Sequence, residues 1–270
     1  MMTPKTTLAA ALLLVATLVH ATTTFSAGYE DGSLDSGYTD LELQMAESFS
    51  LQNVTNVHRE GEHSLKSYLR YGDVTHGGPR AETYSGREAG TLASIGETKY
   101  YGFSIYIVSS WEFDDVNEDI VFQWYALRDP CENQHKSPAM FLAIKRDEWV
   151  LRINADPNPC TMNNNPPIKD QITLGTVETG RWLDCVVKVH WSYGNDGFVE
   201  VWTKTNTEPA YTQVLLRDGP NCYNDENPIC LKWGIYKPSW NNGPTAVDKR
   251  SVWHDAIRVG DSFAEVEVQP

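Results

Sequence analysis

Segments typical of β-strands follow one another along this chain, and after residue 21 no stretch of ten or more residues has the periodicity of a helix. Runs dense in aromatic and β-branched residues, which favour strands, occur at 99–108, 119–127 and 182–191. Connections rich in Gly, Asn and Pro separate these runs, without an internal repeat or a linker. The pattern predicts an all-β fold, a jelly-roll β-sandwich that forms a single domain.

The beginning of the chain is typical of a signal peptide. Lys5 precedes an apolar run at 8–19, and Ala21 supplies a small residue where a signal peptidase would cleave. The apolar run is too short to span a membrane. We therefore predict a signal peptide at 1–21, a mature domain at 22–270, and a secreted, extracellular protein.

The formal net charge of −14 restricts the classes of partner. An acidic chain is poorly suited to nucleic acid or to an anionic membrane. It also argues against a densely sulfated substrate, whereas a less charged polyanion can bind where lysine and arginine cluster locally. We expect no nucleic-acid or membrane partner, and a monomeric protein.

The five cysteines leave at least one thiol unpaired in a secreted protein. Cys222 and Cys230 bracket a short polar loop, and we predict a disulfide between them. Cys131 and Cys160 lie in two loops rich in Asn and Pro, and form a plausible second pair. Cys185 lies in an apolar strand, and is expected to be a free thiol in the core. None of the spacings resembles a zinc site.

One strand near the C-terminus combines unusual residues on one face. The stretch 231–237 alternates, so Lys232, Gly234 and Tyr236 share one side of the predicted strand. A cation, a bare glycine backbone and a phenol on one surface suit an anionic polymer lying across a sheet. The alternative is an ordinary amphipathic strand whose lysine and tyrosine lie at the surface.

Two further groups of polar residues fall on predicted strands or beside them. His76 precedes a Gly-rich turn that leads to Arg80 and Glu82, which share a face of their strand. Gln123 lies inside an otherwise apolar strand, where its amide needs a hydrogen-bond partner or a wet cleft. The alternatives are a solvated histidine, a structural Arg–Glu pair and a satisfied core glutamine.

Taken in order, these motifs resemble the jelly-roll polysaccharide lyases. The shared pattern is Arg-x-Glu at 80–82, a strand centred on Gln123, and Lys-x-Gly-x-Tyr at 232–236. It spans residues 29–261 and is most similar to the glucuronan lyases and the heparin lyase I-like group, with the jelly-roll alginate lyases more distant. The resemblance implies a concanavalin-like β-sandwich that cleaves a β-1,4-linked polyuronate by β-elimination.

The resemblance also implies roles for particular residues. Tyr236 corresponds to the catalytic tyrosine, which removes the C5 proton and returns it to the leaving O4; the charges of Lys232 and Arg80 would favour its phenolate. Gln123 and His76 correspond to the residues that neutralise the substrate carboxylate, and His76 is also the alternative base. The residues expected to bind the substrate are Arg80, Lys232, Trp124, Tyr125 and Glu82.

One departure from the related families bears on the substrate. The alginate-type motif reads Gln-Ile/Val-His, whereas this chain has Gln123-Trp124-Tyr125 and so lacks the strand-borne histidine. That histidine matters for guluronate, in which the C5 proton and O4 lie on opposite faces of the ring. Glucuronan, in which both lie on the same side, is the expected substrate, and an alginate lyase is an alternative.

A structural calcium ion is a further expectation from the resemblance. Glu30 and Asp255 match acidic residues where the terminal strands meet in related sandwiches, and oxygen ligands suit this hard cation. Ordinary hydrogen bonding by these two residues is equally compatible with the sequence. The chemistry itself is expected to need no cofactor.

Two other classes of function remain open from the sequence. A non-catalytic, lectin-like module could stack sugars on Trp124, Trp233 or Trp240, but has no need of the polar groups described above. Hydrolysis requires two facing carboxylates. The best candidates lie in the acidic turn at 112–118, where solvation is the expected state.

Overall fold

The computed structural model describes residues 23–269, and its regular secondary structure is almost entirely β-strand. The predicted signal peptide at 1–21 lies outside the described residues. In chain order the strands are β1 (Phe25–Ala27), β2 (Glu42–Gln44), β3 (Leu51–Val54), β4 (Ser64–Arg70), β5 (Arg80–Tyr84), β6 (Thr98–Ile107), β7 (Asp119–Ala126), β8 (Met140–Lys145), β9 (Glu148–Ala155), β10 (Ile168–Thr176), β11 (Arg181–His190), β12 (Phe198–Thr205), β13 (Thr212–Asp218), β14 (Ile229–Tyr236) and β15 (Lys249–Gly260).

Helical structure is limited to short pieces in the described part of the chain. These are the helix α1 (Phe263–Val266) and the 3₁₀ turns Ala89–Thr91, Met162–Asn164 and Pro238–Asn242. No helix within residues 23–269 has the length and apolar character needed to cross a membrane.

The strands form two antiparallel sheets. The first sheet has the order β13-β12-β11-β6-β15-β4-β3, with β1 paired to β15, and the second has the order β10-β9-β8-β7-β14-β5-β2. Consecutive strands such as β11 and β12 or β8 and β9 pair as hairpins, whereas pairs such as β6 with β15 and β5 with β14 join distant segments, as expected for a jelly roll. The predicted all-β jelly-roll sandwich is confirmed.

The core lies between the two sheets and is rich in aromatic side chains. Phe103 of the first sheet stacks on Phe122 of the second, with ring centroids 4.0 Å apart. Trp124 and Trp233 are also fully buried there. Burial of each large apolar side chain contributes about 1.5–3 kcal/mol. Because alternate residues of β14 enter this core, its remaining residues face away from it, on what we call the open face of the second sheet.

Two irregular positions shape the open face. The register of β7 shifts between Ile120 and Phe122, so that Val121 and Phe122 both enter the core while Ile120 and Gln123 both reach the open face. A bulge of this kind re-aims side chains locally. In β14, Gly234 has φ 136°, and a Cβ atom there would lie 2.2 Å from a carbonyl oxygen of β5.

Three short or exposed strands were not expected from the sequence: β2, β3 and β10. The segment 154–170, whose many Asn and Pro residues favour a loop, contains the end of β9 and the start of β10. Strand β10 has no fully buried side chain, so its apolar signal is weak.

The acidic turn at 112–118 also differs from expectation, since Asp114 is only 3% exposed and ion-paired.

The cysteines divide differently from the prediction. Cys131 and Cys160 form a disulfide, as expected, and Cys185 is a buried free thiol. The predicted Cys222–Cys230 disulfide is wrong, because both residues are buried free thiols. Cys222 packs in the core, whereas Cys230 alternates with the core residues of β14 and lies on the other side of that strand.

Candidate active site

A row of side chains crosses the open face of the second sheet, one from each strand. Register pairs each member with the next. We call this set the cross-strand row, and its members are Glu42, Tyr84, Lys232, Gln123, Phe141, Arg152 and Gln171. The two groups that the sequence singled out on β7 and β14 are therefore direct neighbours.

A fully buried carboxylate organises the centre of this surface. Glu82 is 0% exposed, accepts a short hydrogen bond from the Gln123 amide, and accepts another from Arg80 Nη1 at 3.2 Å. A buried carboxylate needs such partners. Glu82 was predicted to bind substrate directly; its burial and its two partners instead make it a residue that orients Gln123 and Arg80.

Tyr236 lies beside Arg80 at the end of β14. The Arg80 guanidinium lies over the Tyr236 ring, 4.2 Å from its centroid, within the range of a cation–π interaction. Gly78 closes the other side, since a Cβ atom there would lie 3.0 Å from the ring. The phenol is therefore held next to a cation, between a strand neighbour and a glycine turn, and remains partly exposed.

Lys232 is a buried cation between two aromatic rings. Its ammonium lies 4.7 Å from the Tyr84 ring centroid and 4.3 Å from that of Tyr125, and it donates to Gln44 Oε1 at 3.2 Å. Burial lowers the pKa of Lys232, although the negative charge of Glu82 opposes this shift. Burial also raises the pKa of Tyr125. Lys232 thus adds positive charge to the floor of the surface.

His76 lies at the edge of the site, on a tight turn. Thr75 and Gly78 exchange backbone hydrogen bonds of 3.0 Å around it, and His76 and Gly77 both have positive φ, as in a type I′ turn. The His76 ring contacts Glu42 through Nε2 at 2.9 Å and the Thr75 hydroxyl through Nδ1 at 2.8 Å. Both ring nitrogens are therefore engaged.

The tryptophans predicted to stack on sugars do not reach the open face. Trp124, predicted to bind substrate, is 0% exposed in the core, 5.0 Å from the ring of Phe122, and that prediction is wrong. Trp233 is also fully buried, and Trp240 is only 6% exposed. Tyr125, the other aromatic candidate, does lie on the open face beside Lys232.

A buried ion-pair network lies immediately behind Tyr236. Lys237 is 0% exposed, and its ammonium lies 3.0 Å from both Asp114 Oδ2 and Asp119 Oδ1. Arg250 from the first sheet reaches Asp119 at 2.9 Å. Because Asp119 begins β7 and Lys237 follows β14, the network joins the strands that carry Gln123 and Tyr236.

Glu30 and Asp255 are far apart along the chain but line the same cavity, which has a volume of about 340 Å³. Asp255 accepts backbone N–H groups of Arg59 and Glu60, and burial raises its pKa to about 7. Within the described chain no set of three metal-binding side chains converges. The carboxylate oxygens suit a hard cation, but Glu30 also accepts backbone N–H groups, and Arg258 lines the same cavity. The calcium site remains a prediction.

Sequence reasoning missed three residues of this surface: Glu42, Gln44 and Tyr84. Glu42 links His76 to Gln44, which in turn accepts a hydrogen bond from Lys232. The two β2 residues lie on a three-residue strand that no periodicity reveals. Tyr84 could have been found, because it alternates with Arg80 and Glu82 on the same strand.

The arrangement combines a proton-transfer group with two cations and two carboxylates. Arg80 is paired with Glu82, and Lys232 lies in the field of both Glu82 and Glu42. The Gln123 amide and the Arg80 guanidinium are hydrogen-bond donors that are only 2% and 9% exposed, and the partly exposed Tyr236 phenol is a group that can move a proton. Nothing in this set resembles a pair of opposed acids.

Comparisons with known proteins identify the family and the fold. A family model described as polysaccharide lyase matches residues 23–258, and no curated protein matches the chain significantly. The endo-β-1,4-glucuronan lyase from the fungus Trichoderma reesei is 23% identical, with a TM-score of 0.73 over 92% of this chain and 99% of that one.

Two other solved structures have the same architecture. The PL-14 alginate lyase from Aplysia kurodai is 12% identical, with a TM-score of 0.62 over 90% of this chain and 100% of that one. The catalytic domain of a glycoside hydrolase family 131 protein from Coprinopsis cinerea is 11% identical, with a TM-score of 0.58 over 92% and 97%. At such identities the likeness shows the fold alone.

Proposed function

The chain belongs to the polysaccharide lyase family, and from this premise we propose that it cleaves a β-1,4-linked uronic-acid polymer, glucuronan first, by β-elimination. The observation that carries the proposal is the position of Tyr236, whose ring lies against Arg80 on the open face. Gln123, oriented by the buried Glu82, lies on the same surface. A phenol, a guanidinium and an amide are the groups that this reaction requires.

In the proposed reaction, Tyr236 acts as both base and acid. Its phenolate removes the C5 proton, and the electron pair moves toward the substrate carboxylate, where Gln123 and Arg80 stabilise the enolate-like charge. The C4–O4 bond then breaks, and the tyrosine returns its proton to O4. One residue can do both because the C5 proton and O4 of β-1,4-linked glucuronate lie on the same side of the ring.

Tyr236 is a better base than His76 in this arrangement. Both ring nitrogens of His76 are engaged, one by Glu42 and one by Thr75, whereas Tyr236 is partly exposed beside Arg80. For His76 to neutralise the carboxylate at the cleft edge, as proposed, its Nε2 atom would exchange Glu42 for the substrate. Tyr125 and Lys232 are proposed to contact neighbouring hydroxyl and carboxylate groups.

The test is ultraviolet absorbance during incubation with glucuronan, polymannuronate, polyguluronate and heparin. Elimination creates a conjugated C4–C5 double bond that absorbs, whereas hydrolysis and binding do not. We expect absorbance to rise on glucuronan, and Tyr236→Phe to lower kcat by about 10²–10⁴-fold, the usual contribution of proton transfer. Tyr68→Phe, on the first sheet, is the matched control.

The other outcomes separate the alternatives. A rise on polyguluronate alone would identify an alginate lyase and require a base other than Tyr236. Tight binding of one polymer without any rise in absorbance would identify a lectin-like module. If Tyr236→Phe retained the wild-type kcat on glucuronan, the proposed mechanism would be wrong.

We further propose that the protein works outside the cell and carries structural calcium. The Cys131–Cys160 disulfide supports the first proposal, since such bonds persist in oxidising compartments. Glu30 and Asp255 would hold the ion, which would stabilise the junction of β1 with β15, far from the reaction. The monomeric state also remains a prediction.

A further inference from the structure

We propose that the open face continues past Tyr236 into a second carboxylate-binding subsite, formed by Lys145 and Arg152. It would bind a uronate about one disaccharide away from the residue held at Gln123. The inference rests on the proposed function for its substrate class, a β-1,4-linked polyuronate. It assigns a chemical role to a part of the sheet that the reaction itself does not use.

The first step in the argument is the register of the strands. Gln123 on β7 pairs with Phe141 on β8, which pairs with Arg152 on β9. Neighbouring strands lie about 4.8 Å apart, so Gln123 and Arg152 are separated by about 10 Å across the sheet. This is close to the length of a disaccharide lying perpendicular to the strands.

The second step is the chemistry between these two points. Ile120, Phe141 and Ala143 form a small apolar cluster on the open face, and Tyr236 packs against it. All three are at most 7% exposed and none carries a charge, so this stretch of the surface separates two polar regions. Because consecutive residues of a β-1,4-linked chain are turned over relative to each other, every second carboxylate points the same way. The carboxylate that follows the one at Gln123 on that side would therefore reach β9.

The third step is the cavity found there. Its volume is about 270 Å³, and its lining includes Lys145, Arg152, Glu118, Asn117, Pro238 and Ser239. Pro238 and Ser239 lie two and three residues after Tyr236, so the cavity adjoins the reaction site. Lys145 and Arg152 are both partly exposed to it.

The fourth step is the balance of charge. Arg152 donates through Nε and Nη2 to a single oxygen of Glu118, at 3.2 and 3.0 Å, which leaves Nη1 unused by that carboxylate. Lys145 has no ion-pair partner in the part of the chain that the structure describes. Glu148 lies opposite it in register, but the Glu148 carboxylate accepts a hydrogen bond from Thr173 and does not line the cavity. A free ammonium and a partly used guanidinium suit a carboxylate.

The experiment measures the binding of β-1,4-linked glucuronate oligomers by titration calorimetry, using Tyr236→Phe protein so that cleavage is slow. Lys145→Gln is introduced into this background. Lys66→Gln is the matched control, because Lys66 is also a partly exposed strand lysine without an ion-pair partner in the described residues, but on the first sheet. We expect Lys145→Gln to weaken binding of a tetrasaccharide about 3- to 10-fold and to leave disaccharide binding unchanged.

The result separates this inference from the proposed function. Unchanged tetrasaccharide affinity in Lys145→Gln, or an equal loss in Lys66→Gln, would overturn the subsite. The wild-type absorbance assay tests the reaction independently. Turnover of glucuronan with no effect of Lys145→Gln on binding would leave the lyase standing and remove the subsite. If Lys145→Gln selectively lost tetrasaccharide binding but the wild type did not cleave glucuronan, the subsite would stand and the lyase reaction would be removed.

Discussion

Replacing Lys237 by methionine tests whether the buried ion pairs behind the site stabilise the fold. The Lys237 ammonium is fully buried between Asp114 and Asp119, which are 3% and 1% exposed. Removing it leaves the Asp114 carboxylate without a cation, whereas Asp119 keeps Arg250. Breaking a buried pair costs about 3–5 kcal/mol. For a domain of this size, that corresponds to a drop of roughly 6–20 °C in Tm.

The pH dependence gives this prediction a definite sign. Burial alone would raise the pKa of Asp114, but N–H groups of Asn117 and Val116 and the Lys237 ammonium outweigh it and hold that pKa well below its usual range. The ionised form therefore contributes stability above the unfolded pKa of about 3.9, and this is lost as the pH falls toward the folded-state value. In Lys237→Met the carboxyl protonates more readily, so the stability difference from wild type should shrink as the pH falls from 7 to 4.

Thermal and urea unfolding across that pH range measure both effects. Lys99→Met is the matched control, because its partner Asp261 is 65% exposed and such a pair is worth less than about 1 kcal/mol. The double variant Lys237→Met/Asp114→Asn should be more stable than the single variant, since it removes the uncompensated charge. A loss no larger than that of Lys99→Met, or a difference that grows as the pH falls, would refute the reasoning.

Three further predictions concern other parts of the fold. Gly234→Ala should lower stability by more than Gly96→Ala, measured by urea unfolding, because both have positive φ but only Gly234 would bring its Cβ against backbone. Replacing Cys131 and Cys160 together by alanine should cost about 3–4 kcal/mol, from the 29-residue separation, as a lower Tm; an unchanged Tm would contradict it. Calcium chloride should raise the Tm of EDTA-treated protein and fail to do so in Asp255→Asn; equal shifts would remove the calcium proposal.

Period-two alternation accounts for the residues that could be placed from sequence. On β14 it put Lys232, Gly234 and Tyr236 on one face, as the structure has them. The same rule would have excluded Trp124 as a sugar-binding residue, because its neighbours on β7 reach the open face. Local alternation is thus a guide within the regular part of a strand, and it fails at the bulge in β7.

Errors arose where the outcome depends on contacts between distant segments. Cys222 and Cys230 are close in sequence, but lie on different sides of β14. A glutamate is usually exposed at the surface. Glu82 is buried because Gln123, 41 positions away, donates a hydrogen bond to it. Charged residues are buried only when paired, and the pair is invisible until both strands are placed.

The sequence by itself determined the fold class, because alternating strands without helical periodicity must bury one face of each sheet. It also determined that a phenol and a cation share a side of β14. Tertiary structure alone decided that β7 and β5 flank β14, so that Gln123 and Arg80 meet that phenol around one buried carboxylate. It also decided that a bulge in β7 turns Ile120 outward. Strand order and bulges depend on how the two whole sheets pack. Residues that are distant along the chain contribute jointly to the energy of that packing.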